Sequence, residues 1–161
     1  MDSDTTHTGP PAELSAREKE LWRAFLRFSG KVISAVERDL FAATGLSGAD
    51  FQILARLYES EAQRLGQKQL GELVGWTTTR LSHQLTRMQT RGFVDRTSAG
   101  HGRLMTISLA DAGRRTYESA LAVHASSVRA HFFRHFDATP MGDGLWFMGD
   151  DSCELDSESR S

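Results

Sequence analysis

The chain has 161 residues, 25% of them charged and 39% hydrophobic, with a formal net charge of -2. That composition is of a globular protein about one domain long, and it argues against a disordered or membrane-embedded chain. No apolar run approaches the roughly 20 residues that cross a bilayer. Met1 to Pro11 lacks the apolar core of a secretory signal, so a cytoplasmic location is expected. The lone cysteine, Cys153, can form no internal disulfide and excludes a Cys-rich zinc site.

Charge is unevenly distributed. Between Arg64 and Arg103 stand Arg64, Lys68, Arg80, Arg87, Arg91, Arg96 and Arg103 against Glu72 and Asp95 only. From Asp137 onward the order reverses, with seven acids against Arg160. A basic middle and an acidic tail point to an anionic partner for the middle, although solvated faces of opposite sign would look the same.

In chain order, residues 1–13 are polar with Gly and Pro, and read as a disordered arm. Ser15 and Glu18 form a capping box that opens a long helix. Its stripe is Leu21, Trp22, Phe25, Phe28, Val32, Val36 and Leu40, spaced by threes and fours up to a stop near Gly45. A second helix starts at Ser47 with Asp50 closing its box and Leu46 placed to staple onto Phe51; Phe51, Leu54, Leu57 and Tyr58 form its apolar face. Gln63 to Gln67 reads as a polar link. Leu70, Leu73 and Val74 mark a short third helix that Gly75 closes.

Thr77 then caps a fourth helix, with Trp76 placed to staple onto Leu81. Leu81, Leu85 and Met88 share one side of it, and Thr78, Thr79, Arg80, Ser82, His83 and Arg87 fall largely on the other. Gly92 ends the helix, and the period changes to alternation. Phe93–Thr97 and Arg103–Leu109 predict two strands around the turn Ser98-Ala99-Gly100-His101-Gly102, with Met105, Ile107 and Leu109 facing one way. A last long helix runs from Asp111 to Phe136 on the stripe Tyr117, Leu121, Val128, Phe132 and Phe136. Beyond it, residues 138–161 read as an acidic, flexible tail.

Two short helices joined by a tight turn and followed by a hairpin form a helix-turn-helix with a wing. The fold class is therefore mainly α with a small β-hairpin wing, flanked by long N- and C-terminal helices. The second helix of such a pair enters the major groove of DNA, about 12 Å wide. From Thr77 to Arg91 there is no carboxylate, whereas a merely solvated helix carries some; hydroxyls, a histidine and arginines are donors suited to base edges and phosphates.

These residues resemble the MarR family of bacterial transcriptional regulators. The likeness covers about Leu14 to Phe136 and is strongest in Leu70-Gly71-Glu72-Leu73-Val74-Gly75, in the helix Thr77–Arg91, in Arg91-Gly92-Phe93-Val94, and in Arg103 followed by Leu109-Ala110-Asp111-Ala112-Gly113. The resemblance implies a winged helix-turn-helix domain over residues 14–137. Its DNA-binding part would cover about 47–109, and helices at about 15–44 and 110–137 would hold a homodimer. It further implies a pseudo-palindromic double-stranded operator, read by Thr77, Thr78, Thr79, Arg80, Ser82, His83 and Arg87, with Arg103 at the wing in the minor groove. It also implies a repressor released by a small aromatic ligand. Trp22, Phe25 and Phe28 are the aromatic candidates to line its pocket, and dimer core is the commoner role for such a stripe. Three departures stand out: His101 where the family often has an acid, Ala110 where it has threonine, and a polar tail where it has a further helix.

Other chemistries are poorly supplied. Arg91 suits either a phosphate or the C-terminal dipole of its helix. His131 and His135 have the i,i+4 spacing of a metal pair but lack a third ligand nearby, and surface histidines show the same spacing. Ser82 and His83 are adjacent and point apart, so no nucleophile–base pair forms. No enzyme, cofactor or metal is expected. The alternative to a DNA-binding regulator is a winged-helix module that meets an acidic protein.

Overall fold

The computed structural model describes residues 13–98 and 105–135. The disordered-arm reading, the turn with His101, Arg103, Phe136, Cys153 and the acidic tail lie outside these residues. The described residues divide into two compact units, one holding residues 13–33 and the other the described residues from 34 onward.

Helix α1 runs Ala16–Thr44. In the first unit, its entry is the expected box: Glu18 N donates to Ser15 Oγ, and Ser15 N donates to Glu18 Oε2 at 2.7 Å. Trp22 and Phe25, one turn apart, stack with ring centres 5.6 Å from each other. Leu21, Trp22, Leu26 and Ile33 are exposed.

The second unit holds the rest of α1 and every other element: α2 Gly48–Glu59, β1 Arg64–Gly66, α3 Gln67–Val74, α4 Thr78–Thr90, β2 Val94–Ser98, β3 Met105–Leu109 and α5 Asp111–His131. A short 3-10 turn, Phe133–His135, follows. The α5 helix thus ends five residues before the predicted Phe136. Leu40, Leu46, Ile53, Leu54, Leu57, Leu70, Leu81, Leu85, Met88, Val94 and Ile107 are almost wholly buried, and they make one core under the helix-turn-helix and the sheet. Leu73, read as part of the apolar face of α3, is half exposed instead, because its position points away from that core.

The helix ends follow the local signals. Ser47 and Asp50 form both halves of the capping box of α2. Gly75 and Gly92 take left-handed φ values of 68° and 71°, which lets the chain turn out of α3 and α4 without a Cβ clash. Ala110 opens α5 without any side-chain cap, as the loss of a threonine there implies.

The sheet has three strands rather than two, in the order β1-β3-β2, both pairings antiparallel. The stretch read as a polar link, Gln63–Gln67, contains the extra strand. Leu65 is set opposite Ile107 and its side chain is buried. Gln63, at φ 49°, turns the chain so that its carbonyl accepts from Leu109 N at 2.9 Å. A three-residue strand with one apolar side chain carries no alternation to read. It exists because β3 offers an open edge.

One close approach ties α5 to the wing base. Phe93 O accepts from Ala110 N at 3.1 Å, and Gly113 lies against the same carbonyl, where a Cβ would stand 2.1 Å from it. Only glycine fits there, which explains physically why the Leu-Ala-Asp-Ala-Gly segment carries its glycine.

Candidate nucleic-acid interface

The α4 helix is built with its polar face held outward. Leu81, Leu85 and Met88 are buried, and Gln84 falls on the same side and is buried with them. At 100° per residue the direction opposite that core is occupied by Thr79, His83, Thr86 and Thr90, with Ser82 and Arg87 beside them. Thr77, Thr78, Thr79, Arg80, His83 and Arg87 are exposed, and Ser82 is half-buried. Thr78 and Arg80 lie at the edges of this face, close to the core side. Thr86, which no sequence pattern marks apart from its helical angle, is also exposed on this face.

The side chains differ in how much freedom they retain. Thr77 Oγ1 accepts from Arg80 N at 3.3 Å and so caps the helix. The Arg80 guanidinium lies 4.2 Å from the centre of the Trp76 ring, a cation–π contact that steadies it at the entry of α4. Thr86 Oγ1 donates to Ser82 O and accepts from Arg96 Nη1 at 3.3 Å, while Arg96 Nη2 donates to Gln67 Oε1. Arg96 thereby links β2 to both helices of the pair.

Arg91, considered above as a phosphate contact, is bound inward. Its Nη1 donates to Asp50 Oδ2 at 2.9 Å, its Nη2 donates to Gly45 O at 2.9 Å, and its guanidinium sits 4.4 Å from the centre of the Phe93 ring. Asp50 is almost fully buried and also accepts from Ser47 N, Ser47 Oγ and Gln84 Nε2. A buried carboxylate needs such a set of donors, and Arg91 is the one that neutralises it. The residue read only as the second half of a capping box is thus the polar anchor between α2 and α4. One signal was available: Gln84 is a polar residue on an otherwise apolar stripe.

The histidines at the end of α5 also have partners. His131 Nε2 lies 2.9 Å from Asp39 Oδ2, which accepts from Ser127 Oγ at 2.7 Å. The hydrogen bond from Ser127, then that from His131, holds the Asp39 carboxyl below its usual range. Arg134 Nε donates to His135 Nε2. Among the described residues no group of three or more His, Cys, Asp and Glu is placed to hold a metal ion.

A cleft of about 730 Å³ opens between α3, the start of α4 and β3, lined by Gln67, Lys68, Gly71, Trp76, Leu81 and Met105 among others. Neither Trp22 nor Phe25, the candidate ligand residues, is part of its lining. No helix of the described residues is long and apolar enough to cross a membrane.

A core-anchored helix-turn-helix followed by a two-stranded wing that pairs with β1, its second helix bare of carboxylates on the outside, defines the winged helix-turn-helix class. A sequence profile of the MarR family matches residues 44–104. Among solved structures, AbsC of Streptomyces coelicolor, a MarR family transcriptional regulator, is similar at 30% identity over 77% of this chain and 84% of its own, with a TM-score of 0.71. Sco3205 of the same organism, a MarR family regulator crystallised in complex with DNA, is similar at 26% identity over 80% and 81%, with a TM-score of 0.74. CouR of Rhodococcus jostii RHA1, bound to p-coumaroyl-CoA, shares the fold at 22% identity over 74% and 83%, with a TM-score of 0.63. No curated protein sequence matches the chain. The chain belongs to the MarR family of transcriptional regulators.

Proposed function

We propose that this regulator binds a pseudo-palindromic double-stranded operator as a homodimer, represses transcription, and is released by a small aromatic ligand. The observation that carries the reading is the outer face of α4. Hydroxyls, His83 and Arg87 project from a helix whose opposite side is locked into the core, with no acid to repel phosphate. DNA in the structure of the similar Sco3205 supports the same ligand here. Residues 47–109 form the DNA-binding part in this reading, with His83 and Thr79 at the bases, Arg87 on phosphate and Arg103 in the minor groove.

The regions 15–44 and 110–137, which carry α1 and α5, supply the dimer in this reading. Leu21, Trp22, Leu26, Ile33, Phe41 and Leu121 are large apolar side chains left exposed on α1 and α5, which a second copy would cover. Trp22 and Phe25 would serve the effector site, in line with the aromatic ligand bound to CouR.

A gel-shift titration against the DNA flanking the chain's own gene, with random DNA as competitor, tests the reading. A discrete complex that resists competitor and weakens steeply with salt is expected. In that complex, His83→Ala should cost about 1–3 kcal/mol and relax preference at one base position. Equal weakening on every sequence would make His83 a backbone contact. Binding to an acidic protein, with no DNA complex at any salt concentration, would replace the reading by a protein-interaction module.

A further inference from the structure

We propose that Gln84 is a positioning residue for DNA binding, holding Arg87 in place for a backbone phosphate through a relay that begins at the buried Asp50. Asp50 Oδ2 takes hydrogen bonds from Ser47 N, Ser47 Oγ and Arg91 Nη1, which leaves Oδ1 for one more donor. Gln84 supplies it, with Nε2 donating at 2.6 Å. A carboxylate only accepts, so the amide nitrogen of Gln84 must face Asp50 and its oxygen must face away. That oxygen, Oε1, accepts from Arg87 Nη2.

The consequence is electrostatic as well as geometric. Arg91 meets the carboxylate directly and is neutralised by it. Arg87, one helical turn earlier, meets a neutral amide oxygen and, among the described residues, no carboxylate. Its side chain is held at one nitrogen while its charge and its remaining donors stay available on the exposed face. A long arginine already oriented before DNA arrives has less rotamer freedom to lose on binding. Two arginines four residues apart thus do different work: Arg91 holds the helix pair together and Arg87 is presented outward.

The relay rests on the reading of α4 as the DNA-contacting helix. It is tested by a double-mutant cycle on a random-sequence duplex of about three helical turns, followed by fluorescence anisotropy across a salt series. Arg87→Ala alone is expected to weaken binding and lower the salt slope by about one. Gln84→Met, which keeps the volume and removes both hydrogen bonds, should weaken binding by about three- to tenfold and lower the slope in the same direction. In the Arg87→Ala background the same change should do little. Equal loss in both backgrounds, or an unchanged slope, would make Gln84 a packing residue and overturn the relay. An unchanged slope for Arg87→Ala itself would remove the phosphate contact and the relay with it.

Should Gln84→Met fail to fold, the unaltered protein still decides the matter. The order parameter of Arg87 Nε–H without DNA should lie nearer the rigid value of about 0.85 than the flexible range below about 0.6. A value in the flexible range overturns the proposal.

Discussion

Replacing Gly113 by alanine should destabilise the protein, against the ordinary sign of that change. Gly113 is the third residue of α5, and in a helix alanine is better than glycine by up to about 1 kcal/mol. A Cβ at this position would stand 2.1 Å from Phe93 O, 2.9 Å from Phe93 C and 3.1 Å from Phe93 Cα. Ordinary contact begins at 3.4 Å, so the helix and the carbonyl would have to part by about 1.3 Å. Neither side yields easily. Phe93 N is bound to Met88 O at 2.9 Å, Phe93 O holds Ala110 N, and Tyr117 and Ala120 further along α5 are buried in the core. Parting them forfeits the Phe93–Ala110 hydrogen bond, about 1 kcal/mol, and loosens packing by a further 1–3 kcal/mol. The net expectation is a loss of about 1–3 kcal/mol. Urea unfolding followed by circular dichroism measures it directly. A rise in stability, or none beyond error, would refute the close approach of α5 to the wing base.

Arg91→Ala should also lower stability by about 1–3 kcal/mol, because it leaves buried Asp50 without its counter-charge; the partial exposure of Arg91 keeps the figure below that of a fully buried pair. Its salt slope for DNA binding should match that of the unaltered protein, and a slope reduced by about one would restore Arg91 as a phosphate contact. Ala110→Ser should raise stability by about 0.5–1 kcal/mol in thermal unfolding, since Ala110 already has the extended conformation of a cap and offers no acceptor to the first turn of α5. Burial lowers the pKa of His124, whose ring stacks on Phe51 at 4.4 Å, so the unfolded chain takes up that proton first. Stability from this group is therefore full above the ordinary histidine value of about 6.5 and declines as pH falls through it towards the lower folded value. His124→Phe, which keeps a ring on Phe51, should lose less stability between pH 7.5 and pH 5.5 than the unaltered protein; equal losses would count against it.

What was legible in the sequence is what short-range physics controls. The boxes Ser15–Glu18 and Ser47–Asp50, the glycine ends at 75 and 92, and the apolar stripe of α4 each depend on residues within one or two turns of one another. The helix-turn-helix and its wing follow from those pieces in order, and the outward residues of α4 follow from the stripe. Helical angle alone could have added Thr86.

The tertiary structure decided what depends on partners far along the chain. Strand β1 exists only because β3, more than 40 residues later, presents an edge to Leu65. Arg91 looks like any basic residue at a helix end until folding sets it against Asp50, 41 residues earlier. Gln84 looks like a lapse in an apolar stripe until the same carboxylate claims its amide, 34 residues away. Gly113 looks like a weak point in a helix until Phe93 O lies against it. Each of these pairs a polar or backbone group with one that local periodicity cannot see, because hydrophobic spacing reports which side of an element is buried and not what it meets there.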